Sequence, residues 1–176
     1  MRLVALLTTA LVTTGCGPAA INTSGEAASD AGVTEQTTAQ TGTQPQARAE
    51  VEIETFAREL YTQMFEDGLA PLDEANRGLW TPEAWAAIEA AWARDPGAIS
   101  ADPLCFCQDP TGMEAGTITA RFTGDDAAEA VVALSPAGEP VQVTLRLKRI
   151  DDVWRIEDVL DPDGGSFRQA LADGRA

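Results

Sequence analysis

The chain contains no histidine. That removes the commonest general base and the commonest metal ligand together. Basic residues are scarce, 12 Lys and Arg against 28 Asp and Glu, for a net charge of −16 and a pI near 4.1. Binding to nucleic acid needs Lys and Arg to displace counterions, so this charge balance argues against it. So acidic a surface fits a solvated face or a basic partner. Long hydrophobic runs are missing too. The stretch Leu3 to Val12 is apolar but falls well short of the ~20 residues that span a bilayer. Cysteine appears three times, at Cys16, Cys105 and Cys107.

The first of these closes a leader-like segment. Arg2 supplies a charged start, Leu3 to Val12 an apolar core, and Val12-Thr13-Thr14-Gly15-Cys16 an end of small residues. Small residues followed by cysteine resemble the bacterial lipobox, whose cysteine is lipidated and becomes the first residue of the mature protein. The resemblance implies a signal peptide over 1–16, palmitate-type acylation at Cys16 and attachment to the membrane. Several acyl chains on one residue anchor stably, which a single chain does not. Gly17 does not resemble an inner-membrane retention residue, so the expected place is the outer membrane, facing the periplasm. The alternative is an ordinary secretory signal, with Cys16 free and the product soluble in the periplasm or secreted.

Residues 17–48 are mostly Ala, Thr, Ser, Gly and Gln, with almost no large apolar residue; Ile21 and Val33 are the exceptions. Such a segment cannot bury enough apolar surface to offset its ordering entropy, and is expected to be a disordered tether. A flexible coil of that length spans about 30 Å. The remaining segment, 49–176, is long enough for one hydrophobic core. It holds 10 of the basic and 25 of the acidic residues, so the acidity belongs to the folded part.

Within 49–176, apolar periodicity predicts a helix over Ala49 to Asp67. Ile53, Phe56, Ala57, Leu60 and Met64 form one face, Glu50, Glu52 and Glu54 stand at its start, and Gly68 caps it. Pro71 to Arg77 reads as one short helical turn. Thr81-Pro82-Glu83 is a helix start, with Thr as N-cap and Pro at the first helical position. Trp80 and Trp85 fit a hydrophobic staple across that cap, and Trp85, Ile88 and Trp92 form a buried stripe. At such spacing tryptophans are core rather than a ligand shelf. Asp95-Pro96-Gly97 ends the helix.

From Gly116 the apolar period falls to two. Ile118, Ala120 and Phe122 alternate with polar residues, and Ala128 to Leu134 forms a second run bounded by Gly124-Asp125-Asp126 and Ser135-Pro136. Val141, Val143, Leu145 and Leu147 form a third, and Val153 to Leu160 a fourth, with Trp154 and Ile156 on one face. The expectation is four antiparallel strands with one apolar face, covered by the helices, then a short helix from Ser166 to Ala172 closed by Gly174. The fold class is α+β.

Two or three helices, then a four-stranded meander ending in Trp154-Arg155-Ile156-Glu157-Asp158-Val159, resemble the cone-shaped nuclear-transport-factor-like and cystatin-like superfamily. The leading helix with Phe56 and Tyr61, Asp102-Pro103 followed by Cys107-Gln108-Asp109, that last strand, and Gly165-Ser166-Phe167-Arg168 resemble a family of small bacterial lipoproteins and periplasmic proteins catalogued as domain of unknown function 3828. The likeness runs from Ile53 to Leu171. It implies a fold and a place in the envelope; it implies no activity or cofactor.

The chemistry concentrates in Asp102-Pro103-Leu104-Cys105-Phe106-Cys107-Gln108-Asp109-Pro110. In an oxidising envelope free thiols rarely persist. Cys105 and Cys107 therefore read as a local disulfide, as two separate thiols, or as a soft-metal or redox site. Asp102, Gln108 and Asp109, joined by Trp154 and Asp158, form a candidate binding patch at the mouth of a cone cavity. Against that, Asp-Pro pairs serve as loop punctuation, with carboxylates bonding nearby N–H groups. Asp161-Pro162-Asp163-Gly164 resembles the start of a calcium loop but lacks the later glutamate and the spacing. No catalytic set and no metal or cofactor site is expected. The sequence supports two functions. One is a non-catalytic tethered lipoprotein that binds an envelope partner. The other is a cone-cavity domain that binds a small ligand or acts weakly on it.

Overall fold

The computed structural model describes residues 43–135 and 140–176. The leader, Cys16, tether residues 17–42 and Pro136 lie outside the described residues. The elements are helix α1 (Thr43–Glu66), a 3-10 helix (Glu74–Leu79), helix α2 (Pro82–Arg94), strands β1 (Glu114–Phe122), β2 (Ala127–Ser135), β3 (Val141–Ile150) and β4 (Val153–Leu160), and helix α3 (Phe167–Asp173). The fold is α+β, with an antiparallel meander of order β1-β2-β3-β4.

Helix α1 starts six residues earlier than its apolar period indicates, inside the expected tether. Pro45 is no obstacle, because the first turn of a helix has no partner for its N–H groups. The early start places Glu50, Glu52 and Glu54 beyond the first turn, which contains no acid, so they do not cap the dipole there. Ile53, Ala57, Leu60, Tyr61 and Met64 are buried, and α1 lies along β1 and β2. Gly68 ends the turn after it at φ 71, and Leu69 N–H donates to Gln63 O at 3.0 Å.

The start of α2 follows the local signal. Thr81 Oγ1 accepts from Ala84 N–H at 3.2 Å, and Pro82 occupies the first turn. Trp80, just before the cap, is buried. Its Nε1 donates to Pro71 O at 2.7 Å, and its ring packs 6.1 Å from that of Phe167. Thr81 N–H donates to Ile156 O at 2.9 Å, which ties the helix start to β4. At the other end Arg94 donates to Leu171 O and to Ala172 O, and so holds α3.

The sheet buries Ile118, Ala128, Ala130, Val132, Leu134, Val143, Leu145, Leu147, Trp154, Ile156 and Val159 on the face toward the helices. Cross-strand pairs Arg121–Glu129 and Arg146–Glu129 lie on the opposite face. Two register shifts interrupt the pleat, one between Ala115 and Ile118, the other opposite Arg146 and Leu147. The second leaves Glu157 as an extra residue and turns Asp158 and Val159 both inward. Alternation with Trp154 and Ile156 already turns Asp158 inward, and the local break is what turns Val159 inward beside it. Large side chains pack the space between sheet and helices, with Trp154 edge-on to Phe122 at 6.0 Å. The volume where a cone cavity was expected therefore forms the core.

Candidate functional site

Residues 102–107 form a loop closed three ways. Asp102 N–H donates to Cys107 O at 2.8 Å, and Phe106 N–H donates back to Asp102 O at 2.7 Å. Asp102 Oδ1 accepts from Leu104 N–H at 2.8 Å. Cys105 and Cys107 are bonded, with Cα atoms 5.1 Å apart, inside the usual disulfide range. So short a ring removes little chain entropy, about 1.5 kcal/mol, and its larger effect is on the shape of the loop. Separate thiols and a two-sulfur metal site do not describe this arrangement.

The loop is seated by burial on one side. Leu104 and Cys105 enter the core, and Tyr61 of α1 donates its hydroxyl to Leu104 O at 2.8 Å. Burial pushes the Tyr61 phenol far above its ordinary value, with the nearby Asp102 charge acting in the same direction, so it remains a donor. Phe106 is left on the outside, 38% exposed, at φ 50. A bulky residue in the left-handed region is an outlier, and such strain collects at functional loops.

Phe106 borders a surface depression of about 370 Å3. It lies between the loop (Ala101, Pro103, Phe106) and the start and end of the last helix (Phe167, Ala170, Arg175). Asp161, Gly165, Ser166, Gln169 and Ala176 complete its wall. The rim is fixed by turn chemistry. Asp161 Oδ1 accepts from Asp163 N–H at 2.9 Å and from Gly165 N–H at 2.7 Å, and Ser166 Oγ caps α3 through Gln169 N–H. The calcium-like Asp161-Pro162-Asp163-Gly164 segment is thus a self-bonded turn. Among the described residues no group of three or more Cys, Asp or Glu could hold a metal ion.

The five residues of the sequence patch do not converge. Asp102 and Gln108 border a shallower depression of about 320 Å3 on the other side of Ala101, with Pro71, Leu72 and Ile99. Burial raises the Asp102 carboxyl to about 6, against a lowering by the Leu104 N–H bond. Asp109 is exposed and accepts from Thr111 N–H at 2.9 Å; hydrogen bonding by the Thr111 side chain, then by this N–H, holds its carboxyl below the ordinary value. Trp154 sits near the β3–β4 turn, packed on Phe122 and under Arg149, whose guanidinium carbon is 5.6 Å from its ring centre. Asp158 is buried and structural: it accepts from Ser166 Oγ at 2.6 Å, Arg168 N–H at 3.0 Å and Val159 N–H at 2.9 Å. Asp109, Trp154 and Asp158 line neither of these depressions. Sequence reasoning passed over Phe106 as a site residue. Its signal was an aromatic residue between two cysteines, where a bridge forces the middle side chain outward.

No family model matches the chain, and no curated protein matches it. Among solved structures it is similar to a phospholipid-binding protein from Ralstonia solanacearum, solved in complex with a phospholipid. Identity is 14%, the match covers 55% of this chain and 52% of that one, and the TM-score is 0.35. The chain therefore spans about half the length of that protein, and a likeness of this extent says nothing about what it binds.

Proposed function

We propose that this chain is a non-catalytic lipoprotein of the bacterial cell envelope, anchored through Cys16, whose folded domain binds an envelope partner beside the disulfide loop. The observation that carries the binding reading is the apolar-walled depression of about 370 Å3, with Phe106 held outward at its rim. Large exposed aromatics beside a recess are typical anchors for a partner side chain. The bonded cysteines support an oxidising compartment, as the lipobox does. No helix among the described residues is long and apolar enough to cross a membrane. Asp102 and Asp109 each accept a backbone N–H bond within the loop, as loop-shaping carboxylates do. A second reading uses the same recess for a small apolar ligand, since its volume lies within the ~300–1,000 Å3 of ligand pockets.

Two measurements test the proposal. The intact mass of protein extracted from native envelopes should start at Cys16 and carry acyl chains; a lipid-free product would end the anchoring claim. Photoreactive p-benzoylphenylalanine in place of Phe106 should crosslink one envelope protein, in competition with excess unmodified domain. The same group in place of Val51, exposed on α1, should not. Equal crosslinking from both positions would refute a partner site at the loop, and a crosslink to small molecules alone would favour the second reading.

A further inference from the structure

A different surface carries an independent inference. Just ahead of α2, Arg77, Gly78, Trp80, Pro82, Trp85 and Arg155 border a depression of about 270 Å3. Trp85 is only 7% exposed, and its Nε1–H finds no hydrogen-bond partner among the described residues. Arg155 Nε–H is likewise buried and unpartnered, although the other branch of the same guanidinium is fixed, Nη1 donating to Gly78 O at 3.0 Å. Both residues border the depression, and two buried donors without acceptors beneath it are unusual, because each costs stability. Trp80 spends its own Nε1 on Pro71 O and offers this depression its ring alone. The strand register sets Lys148 beside Arg155, and Arg77 reaches the rim while pairing with Glu74 at 2.9 Å. In a chain of net charge −16, two arginines border one depression with two indoles.

We propose that this depression binds an apolar carboxylate. Its anionic end would accept from the guanidinium groups of Arg155 and Arg77, and its apolar body would lie against Trp80, Trp85 and Pro82. A guanidinium presents forked donors suited to a carboxylate, and the indole faces supply the apolar contact. A free acid and the C terminus of a peptide both supply such a carboxylate, and the two share this chemistry.

The test is an NMR titration of the full oxidised chain, following the Trp85 indole N–H. The probes are phenylacetate, its neutral amide phenylacetamide, and a short peptide ending in phenylalanine. Phenylacetate or the peptide should move that resonance saturably, with a Kd of about 1 mM or tighter. Which of the two binds more tightly identifies the source. The amide should bind at least about tenfold more weakly. Arg155→Gln and Trp85→Phe should each weaken binding several-fold. Arg77→Gln changes an exposed side chain, so its weaker binding cannot reflect unfolding. Phe106→Gly should leave the Kd unchanged, which separates this depression from the one at the disulfide loop. The proposal is overturned if neither carboxylate moves the resonance up to about 10 mM. It is also overturned if the amide binds equally well, or if the arginine variants bind as the wild type does.

Discussion

Asp102→Asn isolates one charge at the base of the disulfide loop. Burial raises this carboxyl from an ordinary 3.8 to about 6. A carboxyl whose folded pKa lies above its unfolded value holds its proton more tightly in the folded state. Its stabilising contribution is complete below about pH 4 and is lost as pH rises through about 6. The gap corresponds to about 3 kcal/mol at neutral pH and to about half of that at pH 5. Asparagine stays neutral throughout and keeps an oxygen to accept from Leu104 N–H, a bond of 2.8 Å in the wild type. The variant should therefore match the wild type near pH 4 and exceed it by up to about 3 kcal/mol at pH 7.5. Urea unfolding of both proteins at pH 4, 5 and 7.5 measures the difference, and the other carboxylates cancel in it. The denaturant slopes must agree for the comparison to hold. A difference that stays constant across the three pH values would refute the reasoning, because it would mean that Asp102 ionises as freely folded as unfolded.

The same geometry sets two further outcomes. Asp158→Ala strips the acceptor from Ser166 Oγ, Arg168 N–H and Val159 N–H, and should cost about 3 kcal/mol; amide exchange should show α3 losing protection first, and Asp158→Asn should recover part of it. Phe106→Gly relieves a left-handed residue that costs an L side chain about 1–2 kcal/mol, while glycine gives back part of that as chain entropy. It should stabilise the fold by up to about 1 kcal/mol in urea unfolding while abolishing capture of the partner at the loop; a destabilised variant would mean that the strain at Phe106 is illusory.

Several elements are legible in the sequence because short-range chemistry decides them. Thr81-Pro82 starts α2, Ser166 starts α3 and Gly174 ends it, each through bonds to residues a few positions away. The period-two runs define four strands because each places one face against a core. The start of α1 was misplaced since apolar spacing reports the buried face of a helix and is silent where the helix runs past the sheet. The candidate patch divides for a related reason. Asp102, Gln108 and Asp109 are neighbours in the chain, but Asp109 is turned to solvent by its own Asx turn.

What the sequence alone determined about this protein is its order of parts: leader-like segment, polar stretch, helices, meander, closing helix. Composition, period and turn residues act over a few positions, so they can be read along the chain. Tertiary structure alone decided what surrounds each side chain. It turned Val159 inward through a register shift at Glu157, seated Leu104 and Cys105 in the core beneath Tyr61, and brought Arg155 of the last strand to Trp85 of the second helix. Those outcomes depend on packing between residues many positions apart, and local chemistry places no limit on which distant partner a side chain will meet.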